Sequence, residues 1–247
     1  MLSNVYIAVF LLAFMSGSTT LIGVTLALRF KKSVRGMVIG IGFSSGIMLL
    51  ISFFELIPQS LSSIGTFNTV ISVFLGVLMI GALNFIIPHT HLIKEKGKSS
   101  HALKTAYLIA FGIILHDFPE GFAMANSYIY SPALGLLISL AIAIHNIPEE
   151  FAMAVPIVSI KKKSFLYKIA FLSGLAEPAG AVLGLLAVDW MPTLTPLFIS
   201  FAAGAMIFIS INELLPMAVR YKKMSLFIIG IILSAFVYLG LALLISD

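Results

Sequence analysis

Two stretches of the chain carry nearly the same chemistry 29 residues apart: Leu115–Ala125 (LHDFPEGFAMA) and Ile144–Ala154 (IHNIPEEFAMA). In the first, His116 and Glu120 are four residues apart and share one helix face, with Asp117 three residues before Glu120 and flanking it. In the second, His145, Asn146 and Glu149 repeat that spacing. Pro119 and Pro148 remove the backbone hydrogen bonds to the carbonyls of Leu115 and Ile144, which predicts a kink and a free carbonyl beside each cluster. Both stretches sit inside long apolar runs, where ionisable side chains are expensive and mark function. Glu177, followed by Pro178, lies at similar depth in a later run, and Met48 in an earlier one.

Two imidazoles, four carboxylates (Asp117, Glu120, Glu149, Glu177), one amide and a thioether make a mixed nitrogen and oxygen donor set. Such a set suits zinc, iron, manganese, cobalt or cadmium, and the absence of cysteine removes the thiolates that favour copper(I). Four carboxylates in a low dielectric cannot all ionise without cations opposite them. No Lys or Arg lies inside any apolar run, so the counter-charge comes from outside the chain. Two divalent cations with Glu120 and Glu149 bridging them would balance the site, as would one cation with one or two acids protonated. A proton relay without metal is the competing use of such residues, in a metal-independent proton-coupled carrier. An intramembrane metalloenzyme would need an H-E-x-x-H motif and a poised base, which the sequence lacks; there is also no nucleotide-binding G-x-x-x-x-G-K-[ST], so ATP is not expected.

The elements that hold these residues are read from hydropathy. Of 247 residues, 60% are hydrophobic and 10% charged, against about 25% charged in soluble domains, and mean hydropathy is +1.11. This is the composition of an all-α integral membrane protein, residues 1–247 forming a single transmembrane domain. Spans of about 20 apolar residues fall at roughly 4–28, 36–57, 67–88, 104–128, 132–157, 166–188, 196–217 and 224–246, a total of eight transmembrane helices. The first is read as a retained span and not a signal peptide. All fifteen Lys and Arg occupy alternate loops, including the loop 89–103 and the cluster Lys161–Lys163, so those loops are cytoplasmic and both termini lie outside. The net charge of +5 is thus a topology signal and does not call for a nucleic acid partner. Tyr128, Tyr130 and Trp190 then fall at the outer interface, where amphipathic rings are favoured.

Gly42–Pro58 aligns without gaps to Ser200–Pro216, at an offset of 158, with eight of seventeen residues identical, including Glu55/Glu213 and Pro58/Pro216. The two spans run in opposite directions, so this is an inverted repeat of the kind secondary transporters use around a midplane site. It predicts a 3+2+3 arrangement in which spans 1–3 and 6–8 are related and the motif pair is central. Gly36 and Gly40, Gly42 and Gly46, and Gly180 and Gly184 have the spacing that lets helices approach closely.

Other polar residues are candidate pathway groups. Glu55, and Glu213 beside Asn212, stand near opposite ends of the repeated spans, as acids at the two mouths or as hydrogen-bonding groups near a proline. Glu150 points about 100° away from Glu149 and either lines the path or is held protonated against a neighbouring helix. His89 and His91, at the cytoplasmic end of span 3, are placed to receive released metal; His101 reads as incidental.

The paired H-D-F-P-E-G and H-N-I-P-E-E motifs, with S-F-F-E-L-I-P in span 2, A-E-P-x-G in span 6, N-E-L-L-P in span 7 and the His-bearing basic loop, resemble the ZIP family of divalent-metal transporters, most closely its compact bacterial members of broad metal specificity. The resemblance covers the whole chain. It implies import of zinc and related ions (Cd2+, Fe2+, Mn2+, Co2+) across the cell membrane through a two-metal centre, with the central helices sliding as a block against spans 2, 3, 7 and 8. It implies Met48, His116, Glu120, His145 and Glu149 at one metal, and Asp117, Glu120, Asn146, Glu149 and Glu177 at its neighbour. Candidate partners are the metal ions, the bilayer and a second copy of the chain. Many members carry Asn where this chain has Asp117 and Gly where it has Glu150.

Overall fold

The computed structural model describes residues 2–30, 33–86, 99–158 and 162–245. Every regular element among them is helical. In chain order these are α1 (Leu2–Ser18), α2 (Thr20–Arg29), α3 (Val34–Leu50), α4 (Ile57–Ile86), α5 (Ser99–Tyr130), α6 (Pro132–Ala154), α7 (Lys163–Gly174), α8 (Ala176–Trp190), α9 (Thr195–Ile209), α10 (Leu215–Arg220) and α11 (Met224–Ile245). Among the described residues six helical runs are long and apolar enough to cross a membrane: Asn4–Arg29, Val34–Leu83, Pro132–Ala154, Lys163–Trp190, Pro192–Arg220 and Met224–Ile245. The 32-residue α5, which carries the first motif, packs against α6, α8 and α9.

Val34–Leu83 covers two expected spans and the loop between them. At about 1.5 Å per residue its 50 residues exceed twice the thickness of a hydrocarbon core. The run breaks at Gly65, whose φ of 74° and ψ of 171° turn the chain where a side chain would be strained. The connection expected over Gln59–Thr66 is therefore mostly helix, and the turn narrows to one glycine.

Two expected spans are each interrupted. The first breaks at Thr19, between α1 and α2, and the sixth at Leu175, between α7 and α8. The breaks pack on each other: a β-carbon at Gly17 would overlap the carbonyl of Gly174, and one at Gly174 the carbonyl of Gly17. Thr20 also donates to the Ala170 carbonyl at 2.9 Å. The 42–58 and 200–216 segments share a second irregularity. Each contains a π-helical turn, at Ile51–Leu56 and at Ser210–Leu214, in matching positions of the alignment. Such turns concentrate at functional sites. Matched glycines behave alike as well: Gly46 packs on Ile231 and Ser234 of α11, and Gly204 on Val73 of α4.

The remaining small residues seat the motif helices. Gly40 packs on Pro148, Gly180 on Phe118 and Gly184 on Ala125 and Asn126, as their spacing predicts. Ser131 caps α6, its hydroxyl accepting from the Leu134 N–H ahead of Pro132 at the first turn. Helices α5 and α6 continue through Pro119 and Pro148. Outward faces are apolar, as on α11, where Ile232, Phe236, Leu239 and Leu243 are exposed.

Two substitutions test the turns and the seam. Gly174→Val should destabilise the protein by about 2 kcal/mol through overpacking, and Gly65→Ala by about 1–2 kcal/mol through backbone strain. Gly240→Ala, which meets nothing within 4 Å, should leave the thermal unfolding midpoint in detergent unchanged or slightly raised. Equal midpoints for all three would contradict this account of the seam.

Candidate metal centre

The hydrophobic surroundings of the two motifs leave their polar groups no water. His116, Asp117, Glu120, His145, Asn146, Glu149 and Glu177 are each between 0% and 4% exposed. The crossing of α5 and α6 brings the two copies face to face. His145 Nε2 lies 3.2 Å from Glu120 Oε1 and 3.6 Å from Glu149 Oε2, while His116 Nδ1 lies 3.5 Å from Glu149 Oε1. Glu149 thus turns one oxygen to each imidazole. Donor atoms of Glu120, His145 and Glu149 all fall within 4.8 Å of one another. Two donors about 2.0–2.2 Å from one tetrahedral zinc stand roughly 3.3–3.6 Å apart, so these separations fit a shared ion. Both oxygens of Glu149, Glu120 Oε2 and His116 Nδ1 are buried without a hydrogen bond, whereas buried polar atoms are ordinarily paired.

The second imidazole nitrogens are oriented by the scaffold. His145 Nδ1 sits 3.1 Å from the Ala141 carbonyl, the outer partner that holds a ligating histidine's ring in place. His116 Nε2 lies 2.6 Å from Glu213 Oε2. Glu213, expected near a mouth of the pathway, is buried and reaches the first motif directly from the π-helical turn. Met48 is fully buried, and its sulfur lies 3.7 Å from the hydroxyl of Ser210 in that turn.

A second group of donors adjoins the first. Asn146 Nδ2 donates to Glu177 Oε1 at 2.5 Å and approaches the Ser16 carbonyl and hydroxyl at 3.4 Å, beside the break in the first span. Asp117 accepts a hydrogen bond from Ser173, one residue before Gly174 at the other break. Asp117 and Glu177 both lie close enough to Glu120 to interact electrostatically. The two helix breaks therefore furnish partners to the two motif residues that face away from the imidazoles. Sequence reasoning missed Ser16, Ser173 and Ser210. A lone serine in an apolar run carries no signal, and only the interruption of the helix gives these three their roles.

The remaining candidates lie apart. Glu150 is 2% exposed and packs toward α2, its Oε2 without a hydrogen bond. Glu55 is half-buried and accepts from the Tyr238 hydroxyl at 2.5 Å. Asn212 is exposed. His89, His91 and the side chain of His101 lie outside the described residues.

A helical membrane protein with a buried, unneutralised imidazole–carboxylate cluster at its centre has the form of a metal-ion carrier. The family model described as ZIP zinc transporter matches residues 88–246. The chain is 37% identical to the zinc transporter ZupT of Streptococcus mutans, with 90% of this chain and 92% of the relative covered. It is 38% identical to that of Chlorobium luteolum (91% and 93% covered) and 34% identical to that of Chlorobium chlorochromatii (99% of both). The chain belongs to the ZIP zinc transporter family; it is a multi-pass integral protein of the cell membrane, a transporter and not an enzyme.

The geometry separates candidate ligands from the groups that would position them. Glu149→Ala should weaken equilibrium zinc binding, read by competition with a chelating dye in detergent, by about a hundredfold or more. Ser173→Ala, which acts only through Asp117, should weaken it about tenfold. Equal losses in the two variants would contradict this division.

Proposed function

We propose that this protein imports zinc into the cytoplasm by alternating access through a midplane binuclear site. The observation that carries the reading is the buried Glu120–His145–Glu149 cluster, which has no Lys or Arg among the described residues of its surroundings. A divalent cation is the counter-charge such a cluster calls for. In this reading His116, His145, Glu120, Glu149 and Met48 hold one ion. Asp117, Asn146 and Glu177, with Glu120 and Glu149 shared, hold the second. Glu149, with an oxygen turned to each imidazole, is the natural bridge. The same donor types would accept cadmium, iron, manganese or cobalt.

The single transmembrane domain is read as eight crossings with both termini outside. Two features support this: the turn at Gly65 inside the long Val34–Leu83 run, and the length of α5. The matched π-helical turns and the paired breaks support a 3+2+3 inverted repeat. Movement is of the elevator type, α1, α2 and α5–α8 shifting as a block against α3, α4, α9 and α11. Glu55 and Glu213 relay ions at the two ends of that movement, with His89 and His91 receiving them on the cytoplasmic side.

Uptake of labelled zinc into proteoliposomes tests the reading. Wild type should transport without ATP, and Glu120→Ala and His116→Ala should reduce initial rates at least about tenfold. Absence of metal-dependent flux in the wild type would overturn the transport reading; unimpaired mutants would overturn the site. Elemental analysis at saturation should return two zinc ions per chain, and one would contradict the binuclear centre. Glu55→Gln and Glu213→Gln should each slow flux, and parent-like rates in both would remove the relay.

A further inference from the structure

The two motifs differ where one has Gly121 and the other Glu150. The difference has a structural counterpart. Gly121 lies against the backbone of Glu177, where a β-carbon would overlap the Glu177 carbonyl, so the first motif has no room for a side chain there. On α6 the equivalent position faces α2 at Gly23. A β-carbon built on Gly23 would come within 2.8 Å of the Glu150 β-carbon and 2.6 Å of the Ile147 carbonyl. The missing side chain of Gly23 is thus what lets a carboxylate occupy the seam between α2 and α6.

Glu150 has the environment of a ligand short of its partner. It is 2% exposed, and its Oε2 has no hydrogen bond. Among the described residues, the ionisable group that interacts with it is Glu149, another acid. The basic side chains on the surrounding helices, Arg29, Lys163 and Lys168, are exposed. A carboxyl group buried in this way, charged or neutral, is costly unless something bonds to it. Glu150 follows Asn146 by one helical turn, about 6 Å further along α6 toward its Ala154 end. It therefore stands on the same face of α6 as Asn146, which bonds Glu177.

We propose that the Glu150 carboxylate, in the α2–α6 seam, is a third divalent-cation station, which takes an ion leaving Glu149 on its way toward the Ala154 end of α6. The proposal rests on the transport reading above. It predicts that Glu150 governs the rate of release more than the affinity of the paired site.

The test measures labelled zinc influx into proteoliposomes by wild type, Glu150→Gln, Glu150→Asp and Glu150→Gly, the last reproducing the first motif. Glutamine keeps the volume and hydrogen-bonding capacity of a neutral acid but is a poor cation ligand. Glu150→Gln and Glu150→Gly should lose about tenfold in maximal rate with little change in KM, and Glu150→Asp should recover most of it. Because the natural chain has no cysteine, Glu150→Cys offers a second readout: labelling of its thiol by a charged reagent should be slowed by Cd2+. Parent-like transport by Glu150→Gln, or Cd2+-insensitive labelling, would overturn the proposal even if some variants fold poorly. Wild-type liposomes without zinc flux would instead overturn the transport reading on which it stands.

Discussion

Among the described residues six acidic side chains (Asp117, Glu120, Glu149, Glu150, Glu177 and Glu213) are buried, while Arg29, Arg35, Lys162, Lys163, Lys168, Arg220, Lys222 and Lys223 are exposed. The rest of the structure answers to this imbalance. Buried carboxylates without cationic partners are tolerated only if something else supplies the compensation. Part of it is internal: the imidazoles of His116 and His145, the amide of Asn146 and the hydroxyl of Ser173 each meet a carboxylate oxygen. These groups do not exhaust the oxygens, for both of Glu149 and one each of Glu120, Glu150 and Glu177 are left over. The protein is built with a deficit of positive charge that a divalent ion can fill and lose.

Holding such a cluster requires backbone that departs from ideal helix at chosen places. The breaks at Thr19 and Leu175 bring Ser16 and Ser173 within reach of Asn146 and Asp117, groups that two straight helices would leave facing apolar neighbours. The π-helical turn Ser210–Leu214 aims Glu213 at His116 and Ser210 at Met48. Gly17 and Gly174 let the two broken spans touch backbone to backbone, so the irregular segments support each other. Irregular backbone at membrane depth is tolerated where it is buried in protein or lines a cavity, and here the two breaks are buried against each other.

Much of this is legible in the sequence. The paired H-[DN]-x-P-E spacing placed His116, Glu120, His145 and Glu149 on facing helix surfaces, and apolar run lengths located most of the helices. The gapless repeat of Gly42–Pro58 in Ser200–Pro216 anticipates two segments of like geometry. What stayed hidden has physical reasons. The breaks at Thr19 and Leu175 arise from packing between distant spans, and neither Gly17 nor Gly174 announces its partner 157 residues away. Glu213 reads as a mouth residue because it lies near the end of the span expected over 196–217. It sits instead in the π-helical turn Ser210–Leu214, buried with its Oε2 2.6 Å from His116 Nε2.

The two acids matched by the repeat are in unequal surroundings. Glu213 is buried against His116 of the motif helix α5, while Glu55 is half-buried and held by Tyr238 of α11. One therefore bonds across to the helix that carries the first motif, and the other bonds to a helix of its own surroundings. Were the halves of an inverted repeat in identical conformations, both would reach the central pair alike. Alternating access needs the halves to differ and to exchange roles, and a bond that one acid makes to the motif helices while its counterpart does not is a difference of that kind. On the proposed reading, releasing Glu213 from His116 and freeing Glu55 from Tyr238 are coupled steps. The same rearrangement that withdraws a carboxylate from His116 Nε2 would remove the partner that orients the ring, so access and affinity change together.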